Sequence, residues 1–145
     1  MVGTHGWDES LELGQDELDR EHHLQFGLAG SAADAIEQGR PAMARRLIEQ
    51  LAGYSAAHFS SEELLMENAA YGQLEPHRLE HRSLLAHIDE VRQLLVGGEH
   101  ELALPMALDL MSSFASHIAA ADREFLHQGK LDLHGKIPDP PDPAT

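Results

Sequence analysis

Each of the four helical segments in this chain carries a metal-ligand type of side chain in phase with its own apolar seam, and that limits the fold more than any other feature. In the second segment Leu47, Leu51, Tyr54, His58, Glu62 and Leu65 follow one another at steps of three or four, which places them on one helical face. In the third, His77, His81, Leu84, Ile88, Val91 and Leu95 form an equally continuous stripe. The first offers Leu18, His22, Phe26, Ala29, Ala33 and Ile36, and the fourth Met106, Leu110, Phe114 or Ser113, His117 and Ala121. Burying carboxylates and imidazoles without partners costs several kcal/mol, and a bound cation removes that penalty. Any one of these histidines alone reads as an ordinary satisfied core or boundary residue. His22, His58, Glu62, His77, His81, His117 and Asp122 together read as a metal site, and their number points to two metals.

Punctuation gives the same architecture. Nothing alternates like a strand. An arm runs to about Gly14, and a first helix covers Asp16 to Gln38, ending at Gly39 before Pro41. A second runs from Pro41, suited to a first helical turn, to Asn68. A third spans Pro76 to Val96 and stops at Gly97-Gly98, and a fourth spans Leu104 to His127. Short connections between four helices predict an all-α, up-down-up-down four-helix bundle. Residues 1–127 are expected to form one domain, and 128–145, with prolines at 138, 140, 141 and 143, a mobile tail.

Composition narrows the partners. With 10 basic against 25 acidic residues the formal net charge is −15, which opposes nucleic acid and anionic membrane surfaces. The absence of cysteine excludes disulfides and thiolate ligands, so any metal must be held by nitrogen and oxygen. The first residues lack the basic and apolar regions of a secretory signal, and no apolar run approaches the ~18 residues of a membrane span. A cytoplasmic protein is expected.

Among the other histidines, His23 competes with His22. Position 22 is in phase with Leu18 and Phe26, whereas 23 points toward Gly27 and Gly30, which selects His22. His5, His100 and His134 fall in arm, loop and tail, His127 closes a helix, and His87 lies about 240° around the helix from His81. All five are read as solvated. Asp122 is the awkward ligand, because its step of five from His117 turns an ideal helix by about 140°. A single wider, π-type turn at 117–122 would bring it back to the same face.

Two six-coordinate ions offer twelve positions: five histidines fill five, two bridging carboxylates four, and a bridging oxo or hydroxo two. One position remains open for a small exogenous ligand. Imidazole and carboxylate also suit zinc, copper and manganese, but an open site on a redox-capable pair argues for iron.

The segments HFSSEE at 58–63, HRLEH at 77–81 and HIAAAD at 117–122 resemble the signature of the hemerythrins, especially the bacterial ones, and Trp7, Gly14 and the DREH of 19–22 resemble that family's N-terminal region. The resemblance covers about residues 7–127. It implies two iron ions (Fe2+/Fe3+) with a bridging oxo or hydroxo group, reversibly binding dioxygen, His77, His81 and His117 holding one iron, His22 and His58 the other, and Glu62 and Asp122 bridging. The open position would lie on the His22/His58 iron, and no side chain would act as acid or base. Ile118, Leu84, Phe59 and Leu24 are expected to line the dioxygen pocket and limit water. The chain departs from the family at Glu21, where glutamine is usual, at Gln25, where an apolar residue is expected, and at Leu84, where an aromatic is common. Glu21 is read as solvated.

Three functions follow in order. Dioxygen carriage, storage, delivery or sensing comes first, with an unidentified O2-consuming enzyme or signalling component as partner. A di-iron oxidase, peroxidase or nitric-oxide reductase comes second; bundles that activate O2 use carboxylate-rich sites, whereas five neutral imidazoles to two carboxylates favour reversible binding. A zinc or nickel binder comes third, since it would not need two bridging carboxylates.

Overall fold

The computed structural model describes residues 9–128, and over them the apolar stripes and the chain punctuation settle four helices. Helix α1 (Asp16–Glu37) starts where the Gln15 side chain accepts from the Leu18 N–H, with Asp16, Glu17 and Asp19 in its first turn, where the helix dipole favours negative charge. It ends in a tight reversal: Gly39 takes φ +71, and the Arg40 N–H bonds back to the Ala35 carbonyl. Helix α2 (Pro41–Asn68) has Pro41 at its first position. Helix α3 (Leu74–Val96) begins two residues earlier than Pro76 suggests, because a proline in the first turn lacks only an N–H that would have no intrahelical partner. Helix α4 (His100–His117) likewise begins before the expected Leu104, so His100 opens a helix rather than lying in a loop, and Pro105 is carried inside it.

The wider turn inferred from the step between His117 and Asp122 is present. Residues Ile118–Asp122 form a π-helical turn, after which 123–128 return to α-helix. Each helix packs on its two neighbours around a square, α1 against α2 and α4, and α3 against α2 and α4. That is the up-down-up-down bundle. The helix 100–128 is long and apolar enough to cross a bilayer by composition alone, with a mean hydropathy of 1.3 in its most apolar stretch. Here it supplies Leu110 and Phe114 to the core and His117 and Asp122 to a buried polar cluster.

The interior has two halves. Toward the α1–α2 and α3–α4 connections it is apolar, with Ile48, Leu51, Ile88, Val91, Leu110 and Phe114 fully buried. Burial of each such side chain stabilises by about 1.5–3 kcal/mol relative to exposure. Toward the other end lie buried polar side chains. That end is closed by the segment before α1: Asp19 accepts from the N–H groups of Leu13 (2.7 Å) and Gly14 (3.0 Å), Arg123 donates to the Ser10 carbonyl, and Leu11 and Leu13 pack on Ile118. Trp7 and the tail expected at 128–145 lie outside the described residues, apart from residue 128 itself.

Candidate metal centre

All seven sequence-selected ligands converge, and each is at most 5 % exposed. The arrangement is a pair of half-sites joined by two carboxylates. Glu62 Oε1 faces His77 Nε2 (3.2 Å) and His81 Nε2 (3.0 Å), while its Oε2 faces His58 Nε2 (3.2 Å) and, more distantly, His22 Nε2 (3.6 Å). Asp122 Oδ1 faces His77 (3.0 Å) and His117 (3.3 Å), and its Oδ2 faces His22 (3.1 Å). One half-site therefore gathers three imidazoles and two oxygens, and the other two imidazoles and two oxygens.

The π turn makes this possible. A step of five residues through regular helix would carry Asp122 away from His117; the extra residue accommodated in the turn returns it to the same side. The surrounding side chains then fix the rings. The Nδ1–H of His58 donates to Glu21 Oε1 (2.6 Å), that of His81 to Glu63 Oε2 (2.7 Å) and that of His117 to Glu80 Oε1 (2.7 Å). Each bond sets the tautomer so that the Nε2 lone pair points into the cluster, as metal-ligating histidines require. Phe59 stacks on His81 with ring centroids 4.0 Å apart.

These outer carboxylates correct or extend the sequence reading. Glu21 is not a freely solvated residue but the partner of His58, and Glu63 and Glu80 were not singled out at all. A usable signal existed: each is adjacent in sequence to a ligand, about 100° round its helix, and reaches a histidine on a neighbouring helix. Gln25 is also buried, donating to Ser55 Oγ at 2.8 Å. Phe59, Leu84 and Ile118 are buried beside the ligands or next to them in sequence. Leu24 is a correction: half exposed on α1, it does not wall the site. His23 is exposed, as its phase requires.

Charge distribution shows why the cluster wants a cation. Burial disfavours the imidazolium of His22 and of His77, yet contact with Asp122 and Glu62 outweighs it and raises both from 6.5 to about 9. His58 and His117 are raised for the same kind of reason. Burial and the neighbouring Glu62 push Asp122 upward, but His117, His22 and His77 hold it at about 2, and four histidines hold Glu62 well below the usual carboxylate range. Even so, both nitrogens of His22, the His58 Nε2, one oxygen of Glu62 and both of Asp122 find no hydrogen-bond partner. His81 and His117 bring their Nε2 atoms within 3.1 Å, which two lone pairs tolerate only around a shared proton or a cation. The inward donors are all nitrogen or oxygen, a set that fits first-row metals such as iron. The residues present fit two metal ions.

Fold and site together define a dinuclear metal-binding four-helix bundle. The chain belongs to the hemerythrin HHE cation binding domain family, whose family model matches residues 13–128. It is 32 % identical over 117 residues to a bacteriohemerythrin of Ralstonia nicotianae, covering 81 % of this chain and 82 % of that protein. It is 30 % identical over 126 residues to myohemerythrin-1 of Phascolopsis gouldii (86 % and 92 %), and 26 % identical over 125 residues to a bacteriohemerythrin of Clostridium acetobutylicum (83 % and 97 %). No solved structure matches at comparable significance. The family binds dioxygen at a di-iron centre, and the buried cluster is able to hold such a pair.

Proposed function

We propose that this protein carries dioxygen reversibly at an iron pair held by His77, His81 and His117 on one side, His22 and His58 on the other, with Glu62 and Asp122 across both. The observation that carries this reading is the split of each carboxylate, one oxygen toward each half-site, with one imidazole fewer on the His22/His58 side. When bound, the iron pair supplies the two electrons and the open coordination position that a dioxygen molecule needs. The chain's own part is to hold five neutral rings by their Nε2 atoms, to balance charge with two carboxylates, and to exclude water with Phe59, Leu84 and Ile118. Bundles that activate dioxygen use carboxylate-rich sites, so five imidazoles to two carboxylates favour carriage or delivery over catalysis. A cytoplasmic location, with neither nucleic acid nor membrane as partner, fits the net charge of −15.

The test is to purify the protein, count iron, and record its optical spectrum while cycling between reduction under argon and air. Two irons per chain with a charge-transfer band that returns on each cycle is the expected result. His58→Ala is expected to abolish the dioxygen signal and His23→Ala to leave it intact. A full signal in His58→Ala would overturn the ligand assignment.

A further inference from the structure

We propose that a cavity between the first turns of α1 and the C-terminal half of α2 is the route by which divalent metal reaches the cluster, with Glu21 as the carboxylate that relays it inward. The proposal rests on reading the cluster as the metal site. The cavity, of about 290 Å³, has Glu17 and Glu21 on its outer wall and His58, Glu62 and Asp122 among its lining residues. Glu62 and Asp122 are 4 % and 2 % exposed, and Glu62 Oε2, both Asp122 oxygens and His58 Nε2 have no hydrogen-bond partner. Anionic oxygens ringed by imidazoles at the bottom of an opening to solvent are where a cation comes to rest as it displaces the ring protons.

Two other openings approach the cluster and are poorer routes. A groove between α3 and α4 joins Glu80 and four serines to His117, and a smaller one joins Tyr71 and Glu80 to His77; neither is lined by Glu62 or Asp122. The α1–α2 cavity has no lysine or arginine among its described lining residues. Its wall is continuous in function as well. Glu21 is about one-third exposed at its outer face, and its Oε1 lies 2.6 Å from His58 Nδ1. Of the three outer carboxylates that accept from the Nδ1–H of a ligand histidine, Glu21 alone lines this cavity. A hydrated ion drawn to Glu17 and Glu21 exchanges water for carboxylate oxygen there, and then for the Glu62 oxygen and His58 nitrogen beneath. Acidic walls of this kind raise the local concentration of cations and their on-rate.

The experiment mixes metal-free protein with Co2+ in a stopped-flow instrument and follows the cobalt absorption bands, with the end-point stoichiometry measured separately. Replacing Glu17 and Glu21 by Gln together keeps an oxygen acceptor for His58 but removes both charges. This pair is expected to slow uptake about tenfold at low salt, an effect that collapses near 1 M salt, where the screening length is about 3 Å; Glu17→Gln alone, which leaves the Glu21–His58 bond in place, is expected to slow uptake by less, with the end point at two Co2+ per chain. Glu99→Gln with Glu101→Gln, which removes the same charge at the far end of the bundle, is the control and is expected to leave the rate unchanged. If Glu80→Gln slows uptake and the Glu17/Glu21 pair does not, metal arrives through the α3–α4 side and the proposal is overturned. A wild-type-like rate in every variant, with two Co2+ still bound, overturns the route and leaves the metal site standing. A wild-type chain that takes up no Co2+ brings down both.

Discussion

Filling the cluster must expel protons, and the geometry says how many. His22 and His77 each stand within 3.1 Å of an Asp122 oxygen and within 3.6 Å of a Glu62 oxygen. Although burial alone would drive both rings toward neutrality, those carboxylates raise them to about 9, so at pH 7 each is predominantly protonated. A metal takes only the neutral ring. The carboxylates are already ionised, Asp122 falling to about 2, and release nothing. Loading at pH 7 therefore expels roughly two protons from His22 and His77, with further fractions from His58 and His117, which are also raised. Each deprotonation costs on the order of a few kcal/mol at pH 7 and close to nothing at pH 9. The sign for the metal-free fold is the reverse: the raised rings stabilise it fully below about pH 6.5, and that contribution is lost as pH rises through about 9. Metal is thus expected to bind better, and to stabilise the protein by a larger increment, toward alkaline pH. Calorimetric titration with Co2+ in two buffers of different ionisation enthalpy reads the proton count directly. The expected result is about two or more protons at pH 7, fewer at pH 9, and a joint affinity rising about 100-fold per pH unit between 7 and 8. A count near zero at pH 7, with affinity flat across that range, would refute the reasoning.

Two predictions concern the scaffold. Ala70 takes φ +54 in the turn between α2 and α3, a conformation that costs a Cβ-bearing residue about 1–2 kcal/mol, so Ala70→Gly is expected to stabilise by up to about 1 kcal/mol in urea unfolding, and a destabilised variant would contradict the strain. Phe114 is 1 % exposed in the apolar half, so Phe114→Ala is expected to cost about 3–5 kcal/mol in the same assay while the folded variant still binds two Co2+; loss of metal from a folded variant would mean the two halves are not independent.

What sequence periodicity could and could not convey is clear from particular residues. The inward face of a helix is written in its own 3.6-residue period, so His22 over His23, the His58/Glu62 pair and the His77/His81 pair were all legible. Even the π turn was, because an i to i+5 ligand pair has no other way to share a face. Contacts between helices are not periodic in either sequence. Glu21, Glu63 and Glu80 sit at the edges of their seams, and whether such a residue meets solvent or a neighbour's histidine depends on how the two helices are rotated about their axes. Leu24 failed for the same reason, since an apolar residue at a seam edge turned outward. The early start of α4 at His100 was hidden by Pro105, which reads as a first-turn residue although the helix carries it further in.

The unequal half-sites trace back to α1. Helices α2 and α3 each contribute two of the seven inward ligands, and α4 with the π turn that follows it contributes His117 and Asp122, whereas α1 contributes His22 alone. One turn further along α1, where a second ligand would point inward, stand Gln25 and Phe26. Phe26 belongs to the apolar core, and Gln25, though 1 % exposed, spends its amide on Ser55 of α2 at 2.8 Å. That closed pair satisfies the polar group and leaves no donor for the metal cluster at that level. A second imidazole from α1, the sixth in all, would make the two half-sites equal, and a closed coordination set holds a metal structurally without admitting a ligand, as the distinction between closed and open zinc sites illustrates. The smaller half-site thus goes with an α1 whose next inward positions hold a glutamine satisfied by Ser55 and a phenylalanine packed in the apolar core.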